Sequence, residues 1–162
     1  MKRLILIRHS KSSWKDLSLT DFNRPLNRRG KSDAPLMADY LKSKINKIDY
    51  LHSSSSVRTF ETSKYFIRQI QFGKVEYDDS LYHCSATSIL NMITSYSDNH
   101  QSAMIIAHNP GLTNLINNIT NVSLDNLPTT GLAEIEFNIN SWSNISYEKS
   151  NLVDLKFPKQ LK

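Results

Sequence analysis

The sequence is poor in the residues that mark disulfide-rich, membrane-spanning or low-complexity proteins. A single cysteine among 162 residues excludes an internal disulfide and fits a reducing compartment, so we expect a cytoplasmic protein. The apolar run at residues 4–7 is too short for a signal peptide or a membrane span. Four glycines, five prolines and no internal repeat or low-complexity linker predict one globular domain over residues 1–162.

Positive charge is in excess, with a formal net charge of +5 at pH 7. Such a balance favours anionic partners, whether phosphorylated protein, phosphorylated metabolite or nucleic acid. The lysines and arginines are scattered along the chain and no nucleic-acid-binding motif accompanies them. We therefore expect an anionic substrate, with no nucleic-acid or membrane partner. The absence of a coiled-coil or interface signature favours a monomer.

Two unbroken apolar runs, residues 4–7 and 103–107, predict strands buried on both faces of a sheet. Further strands are predicted at residues 48–52 and 74–77. The three-to-four spacing of apolar residues predicts four helices. Two of them cover residues 27–44 and 57–71, a third follows Ser85, and the last has Asn109 as its N-cap and Pro110 at its first position.

The carboxyl-terminal part of the chain has a different pattern. Apolar and polar residues alternate over residues 132–139, which predicts a half-exposed antiparallel strand near a sheet edge. The same alternation returns at residues 153–157. Strands alternating with helices, followed by two edge-like strands, predict an α/β protein, a three-layer α/β/α sandwich around a mostly parallel mixed sheet.

Each of the two central strands ends in a histidine, His9 and His108. Ligands of open α/β sheets bind outside the carboxyl ends of the strands, so we expect the two imidazoles to share a site. Arg8 immediately precedes His9. Arg58 follows the serine cluster at residues 53–56 in the first turn of a predicted helix, where a cation opposes the helix dipole. Local helix stability therefore does not explain Arg58, which is either a solvated surface arginine or a functional residue.

These four side chains suit phosphoryl transfer. A neutral imidazole nitrogen is a competent nucleophile towards phosphorus, and guanidinium groups match the equatorial oxygens in pairs. A second, protonated imidazole could hydrogen-bond the same oxygens. Because positioning and charge stabilisation are most of what this chemistry needs, we expect neither a metal nor another cofactor.

The triplet Arg8-His9-Ser10 resembles the Arg-His-Gly signature of the histidine phosphatase (phosphoglycerate mutase-like) superfamily. The chain is more narrowly similar to the short SixA-type phosphohistidine phosphatases, and the similarity extends over residues 2–157. The segments that carry it, in order, are RHSKSSW, DFNRPLNRRG, SSSSVRTFETS, LYHCS, AHNPGLT and NLPTTG. The triplet alone is a weak signal, whereas its combination with the serine-cluster arginine and the AHNPG segment is strong.

The resemblance implies a role for each candidate. His9 would become transiently phosphorylated, Arg8 and Arg58 would bind the phosphoryl oxygens, and His108 would donate a hydrogen bond to the phosphoryl group. Ser10 would line the phosphate pocket, where many relatives have glycine or alanine. Further candidates for substrate binding are Lys11, His83 and Asn109.

One position departs from the family pattern. Many relatives have a proton-donating glutamate after the Leu-Tyr pair, where this chain has His83, and Asp79 is a nearby alternative acid. A phosphohistidine leaves as imidazole and depends less on an enzyme acid than a phosphoester does. We therefore expect a phosphorylated protein histidine as the substrate. The alternatives are a phosphatase of small phosphorylated esters and a catalytically silent phosphate-binding module.

Overall fold

A six-stranded sheet forms the centre of the computed structural model, which describes residues 1–162. Its strands are β1 (Lys2–Arg8), β2 (Lys47–Ser54), β3 (Gln71–Asp78), β4 (Ser102–Ala107), β5 (Leu132–Phe137) and β6 (Ser150–Lys156). They lie in the order β3-β2-β4-β1-β5-β6. The first four in this order are parallel, and β5 runs antiparallel to both β1 and β6, so β5 alone points in the opposite direction. The predicted mixed, mostly parallel sheet is confirmed.

Two helices cover each face of the sheet. Helices α1 (Arg28–Lys44) and α2 (Val57–Gln69) pack together, as do α3 (Ala86–Thr94) and α4 (Gly111–Ile119). In β1, Leu4 and Leu6 join the apolar cluster beneath α3 and α4, whereas Ile5 and Ile7 join the cluster beneath α1 and α2. Side chains alternate across a strand, so a strand covered on both faces needs an unbroken apolar run. None of the four helices is long and apolar enough to cross a membrane.

The predicted half-exposure of β5 is the main error in the fold. β5 is antiparallel and near a sheet edge as expected, with β6 as the edge strand beside it. Its residue Glu134 is only 2% exposed, so the strand is not half-exposed. The carboxylate is buried because Arg3 and Lys44 reach it, at 3.4 and 2.8 Å. A charge is tolerated in such a place when it is paired.

The start of α4 also differs from the prediction. The helix begins at Gly111, with Pro110 as its N-cap and Asn109 one residue further out. The Asn109 side chain still accepts a hydrogen bond from the Thr113 backbone N–H at 3.3 Å, so it satisfies a helix donor from outside the cap position. In the preceding half of the chain, β3 begins at Gln71, and α2 therefore ends two residues earlier than predicted.

Candidate active site

The two strand-end histidines lie side by side. β1 and β4 are parallel neighbours with Arg8 paired to Ala107, so the residues that follow, His9 and His108, leave the sheet at the same edge. The His9 backbone N–H continues the ladder by donating to the Ala107 carbonyl at 3.1 Å. The two imidazole centroids are 5.2 Å apart. Strand register alone therefore brings both rings to the edge where α/β proteins bind ligands.

The imidazole of His9 is held as a neutral base. Its Nδ1 lies 2.8 Å from the Ser10 carbonyl oxygen, which can only accept, so Nδ1 carries the proton. The Nε2 lone pair accepts from Arg58 Nε at 3.3 Å. Burial lowers the pKa of His9 to about 3, and the cations Arg58 and Arg8 act in the same direction. At neutral pH an unprotonated ring nitrogen therefore lies between guanidinium groups, as a nucleophile requires.

Arg58, only 2% exposed, is the most connected side chain of the site. Its Nη1 donates to the Asp21 carbonyl oxygen at 2.6 Å and its Nη2 to Asp21 Oδ2 at 3.0 Å. Nη2 also lies 3.2 Å from His83 Nε2 and 3.4 Å from His108 Nδ1. One guanidinium thus links His9, both other histidines of the site and an acidic residue from a distant loop.

Arg8 has an unused donor. Its Nη1 donates to the Leu127 carbonyl at 2.9 Å, but the buried Nε has no hydrogen-bond partner. Burial lowers the pKa of Arg8, and repulsion from Arg58 adds to this effect. A buried donor without an acceptor costs free energy, about 1–3 kcal/mol for a typical group. An anionic ligand would supply both the acceptor and the opposite charge.

His108 differs from the protonated donor expected from the sequence. Burial lowers the pKa of His108 to about 2, and repulsion from His9, Arg58 and His83 contributes. Because Arg58 donates to Nδ1, the proton of the neutral ring is on Nε2, which lies 2.8 Å from Ser54 Oγ. The ring is therefore neutral, mainly because it is buried.

Asp21 and Tyr82 belong to the site but were missed in the sequence. The Asp21 carboxylate accepts from Arg58, from Arg24 at 2.9 Å and from the Tyr82 hydroxyl. Burial opposes its ionisation, but the hydrogen bonds from Tyr82 and Arg58 outweigh this and hold the pKa of Asp21 well below its usual range. The only signal in the sequence is the Asp21–Arg24 spacing of three, which does not identify Arg58 as the main partner.

The other three candidates, Ser10, Lys11 and Asn109, make structural hydrogen bonds near the strand ends. Ser10 is buried, and its hydroxyl accepts from Thr130 Oγ1 at 2.8 Å. The Lys11 carbonyl accepts from the Asn27 backbone N–H at 2.9 Å, which ties the strand end to the start of α1. The Asn109 amide donates to the Leu127 carbonyl at 2.9 Å, the same oxygen that Arg8 uses. Asn109 thus supports the segment that anchors Arg8.

Of the two possible proton donors, His83 is the one in contact with the central groups. It has a positive φ of 50°, its ring stacks on Tyr82 with centroids 4.1 Å apart, and its Nε2 lies 3.5 Å from Asp21 Oδ2. Asp79 is exposed and accepts a hydrogen bond from Ser55 instead.

No group of three or more His, Cys, Asp or Glu side chains is arranged to hold a metal ion.

A mixed α/β sheet with two imidazoles and two guanidinium groups at its carboxyl edge defines a class of phosphate-handling proteins. The family model of the histidine phosphatase superfamily (branch 1) matches residues 4–94, and the chain belongs to that superfamily. A chloroplastic protein of Arabidopsis thaliana is 34% identical over 151 residues, which are 87% of this chain and 69% of that one. A Mycobacterium leprae protein is 24% identical over 165 residues, covering 94% of this chain and all of that one.

Solved structures place the chain among the SixA-type members. A crystal structure from Agrobacterium tumefaciens, assigned to the SixA phosphohistidine phosphatases, has a TM-score of 0.81 and 26% identity, covering 97% of this chain and 98% of that one. A protein histidine phosphatase SixA complexed with tungstate has a TM-score of 0.80 and 18% identity, covering 99% of both chains. Family and fold together make this protein a hydrolase of the phosphatase type.

Proposed function

We propose that this protein removes the phosphoryl group from phosphohistidine in another protein, without a metal, through an intermediate phosphorylated on His9. The observation that carries the proposal is the pairing of His9 with Arg58. An Nε2 lone pair accepts from Arg58 Nε at 3.3 Å, in a ring that burial keeps neutral. The unpartnered Nε of Arg8 adds a second guanidinium donor for the phosphoryl oxygens.

The reaction has two steps. In the first, His9 Nε2 attacks phosphorus while the bond from phosphorus to the substrate nitrogen breaks, and the departing imidazole takes up a proton. In the second, a water oxygen attacks the phosphorus on His9, the water loses a proton, and inorganic phosphate leaves with the His9 lone pair restored. Arg8 and Arg58 stabilise the negative charge in both steps, since each transition state spreads it over the same oxygens.

His83 supports a phosphohistidine substrate. It occupies the position of the glutamate that many relatives use as an acid, and its half-exposed ring contacts Asp21 and Arg58. A histidine side chain is a competent general acid towards a departing imidazole. The Agrobacterium tumefaciens relative, assigned as a phosphohistidine phosphatase, agrees with this choice.

The test is to trap the intermediate. The substrate is a phosphohistidine-bearing phosphotransfer protein whose phosphoryl group carries a radioactive label. After mixing and quenching, the enzyme should carry a labelled phosphoryl group that is labile in acid and stable in base. The group should be absent in His9→Ala and present in the control Cys84→Ser. Turnover should be unchanged by a chelator. A label on Ser10 or Cys84, or loss of turnover with the chelator, would contradict the mechanism.

A phosphatase of small esters is the second candidate, because the His83–Asp21 pair could also protonate an alkoxide. Comparing kcat/KM for the phosphohistidine protein and for simple phosphate esters separates the two. A preference for esters that disappears in His83→Ala would favour the second candidate. Tight binding of phosphoprotein without any turnover would instead indicate a phosphate-binding module.

A further inference from the structure

An exposed loop, residues 14–20, projects beside the active site. All seven of its residues are exposed, and Trp14 and Leu17 retain 65% and 87% of their accessible surface. Leu19 is a third large apolar residue on the same loop. The loop is held at its base, where Ser12 pairs with Leu26 and the Ser13 backbone N–H donates to the Pro25 carbonyl at 2.8 Å. The base of the loop is therefore anchored to the segment that leads into α1.

Side-chain contacts connect the exposed loop to the catalytic groups. The Arg24 guanidinium stacks on the Trp14 ring at 3.5 Å. Arg24 donates to the Asp21 carboxylate at 2.9 Å, and the other oxygen of that carboxylate accepts from Arg58 at 3.0 Å. Two side chains thus separate the tryptophan from Arg58, so a molecule resting on the loop would be at the mouth of the site.

Three large apolar side chains on one exposed loop are costly unless something covers them. Scattered single apolar residues are normal on protein surfaces, whereas grouped ones mark sites of interaction. Tryptophan, and arginine beside it, are the residues that most often dominate the binding energy of protein interfaces. The small phosphoryl group of the substrate does not need them, because Arg8 and Arg58 already surround the reacting histidine.

Charge indicates what kind of surface fits. Residues 75–148 contain no lysine or arginine, so every cation of the chain lies in residues 1–74 or 149–162. Exposed cations flank the loop: Lys15 lies on it, and Arg28 and Arg29 begin α1 directly after the base of the loop. Asp16 is the one acidic residue on the loop. The complementary surface is apolar at its centre and acidic at its border.

We propose that the exposed loop is the docking surface for the phosphoprotein substrate, contacting an acidic-bordered apolar patch next to the phosphohistidine. The proposal rests on the proposed function. Trp14 and Leu17 make the apolar contact, while Lys15 and Arg28 face carboxylates. Docking lowers KM for a protein substrate that carries the patch, and it leaves KM for free phosphohistidine unchanged.

The experiment measures the activity of three forms of the enzyme on two substrates. The substrates are a phosphohistidine-bearing phosphotransfer protein and free phosphohistidine. The proteins are the wild type, the double variant Trp14→Ala/Leu17→Ser, and the control Tyr147→Ala. Tyr147 is also exposed, at 54%, but it precedes β6 at the end of the sheet where β1 begins, opposite the site.

We expect the double variant to raise KM for the phosphoprotein about tenfold, the effect of losing one strong interface contact. Its kcat/KM for free phosphohistidine should stay within about twofold, and Tyr147→Ala should leave both substrates unaffected. Lys15→Glu should also raise KM for the phosphoprotein, and the increase should be larger at low salt than at high salt because salt screens exposed charges.

The remaining outcomes overturn the proposal in different ways. Equal losses on both substrates would mean that the loop only supports Arg24 and Asp21. Unchanged KM in the double variant, with a wild type that prefers the phosphoprotein, would overturn the docking surface and leave the proposed function standing. A wild type without activity on the phosphoprotein would overturn both. Sedimentation with phosphatidylserine vesicles that requires Trp14 would assign the loop to a membrane surface instead.

Discussion

Arg58 lies in the first turn of α2, a position where the helix dipole disfavours a cation. The structure supplies the compensation, because Asp21 meets the guanidinium with both its carboxylate and its backbone carbonyl. The same carboxylate also accepts from Arg24 and Tyr82. Asp21 is therefore a positioning residue, which holds Arg58 in place against the field of its own helix.

Removing the charge of Asp21 tests this role. In Asp21→Asn we expect kcat/KM to fall about tenfold to a hundredfold, because a hydrogen bond between charged groups contributes about 1.5–3 kcal/mol and the bond from Arg58 Nη2 to Oδ2 loses its charged acceptor. Asp39→Asn is the control, since it removes the same charge at an exposed position of α1 outside the site. Steady-state kinetics on both variants provide the measurement, and equal activities would contradict the assignment.

The difference in stability between the wild type and Asp21→Asn should decrease as the pH falls. The folded pKa of Asp21 is depressed below its unfolded value, so its charge stabilises the fold above about pH 4 and that contribution is lost as the pH falls further. The wild type should therefore melt at a higher temperature than Asp21→Asn at pH 7, and the difference should shrink in acid. A difference that is constant with pH would mean that shape, and not charge, is responsible.

The two central histidines should remain neutral across the physiological range. Burial lowers the pKa of His9 to about 3 and that of His108 to about 2, against about 6.5 for a free histidine. Imidazole NMR titration should show no protonation of either ring between pH 8 and about 4, whereas added phosphate should raise the pKa of His108 through its negative charge. Protonation near pH 6.5 in the free protein would contradict the described electrostatics.

Residues at strand ends could be predicted from the sequence, and residues that reach the site through long loops could not. His9 and His108 follow apolar runs whose pairing depends only on register, so their proximity followed from the pattern. Asp21 meets Arg58 across 37 residues of sequence, and Tyr82 meets Asp21 across 61. No periodicity connects such positions, because the contact depends on how two loops pack.

At the scale of elements, the connection from β1 to α1 sets the position of His9. The Asn27 side chain accepts from the Gly30 backbone N–H at 2.9 Å and caps α1, while the Asn27 N–H donates to the Lys11 carbonyl. Gly30 lies against that same carbonyl, and a Cβ at this position would overlap it. The helix start is thus pressed against the segment that carries His9 and Ser10.

Gly30→Ala should therefore damage both stability and activity. The added methyl group must displace the Lys11 backbone, and overpacking of this kind costs about 1–3 kcal/mol. Ser32→Ala, at an exposed position in the same helix, is the control and should be neutral or slightly stabilising. Denaturant unfolding and kcat measure the two effects. A Gly30→Ala protein as stable as the control would show that the contact is looser than described.

Helices and buried strands were the elements best predicted, and β5 shows why the others were harder. Its alternation of apolar and acidic residues has the form of a half-exposed strand, yet Glu134 is buried. Arg3 and Lys44, 131 and 90 residues away in sequence, neutralise it from β1 and α1. The hydrophobicity pattern of a strand shows that a residue is charged, but it does not show which distant residue pairs with that charge and allows its burial.

At the scale of the whole molecule, charge is distributed unevenly between the two helical layers. Helices α1 and α2 contain lysines and arginines, including Lys31 and Lys64, while α3 and α4 contain no charged residue. Eight of the 20 lysines and arginines therefore lie on the α1–α2 side of the sheet, and the helices of the other side carry none. An anionic substrate approaching the carboxyl edge meets a field that favours the α1–α2 side.

The position of the enzyme's charges, and not only its net charge, should therefore determine how fast an acidic phosphoprotein associates with it. Lys31→Gln and Asn91→Asp each lower the net charge by one, but Lys31 is an exposed residue of α1 and Asn91 an exposed residue of α3. At low ionic strength we expect Lys31→Gln to lower kcat/KM for an acidic phosphoprotein about twofold and Asn91→Asp to lower it less. Both differences should disappear above about 0.3 M salt, where the Debye length falls to about 5–6 Å. Equal effects of the two substitutions would mean that only the net charge of the protein guides its substrate.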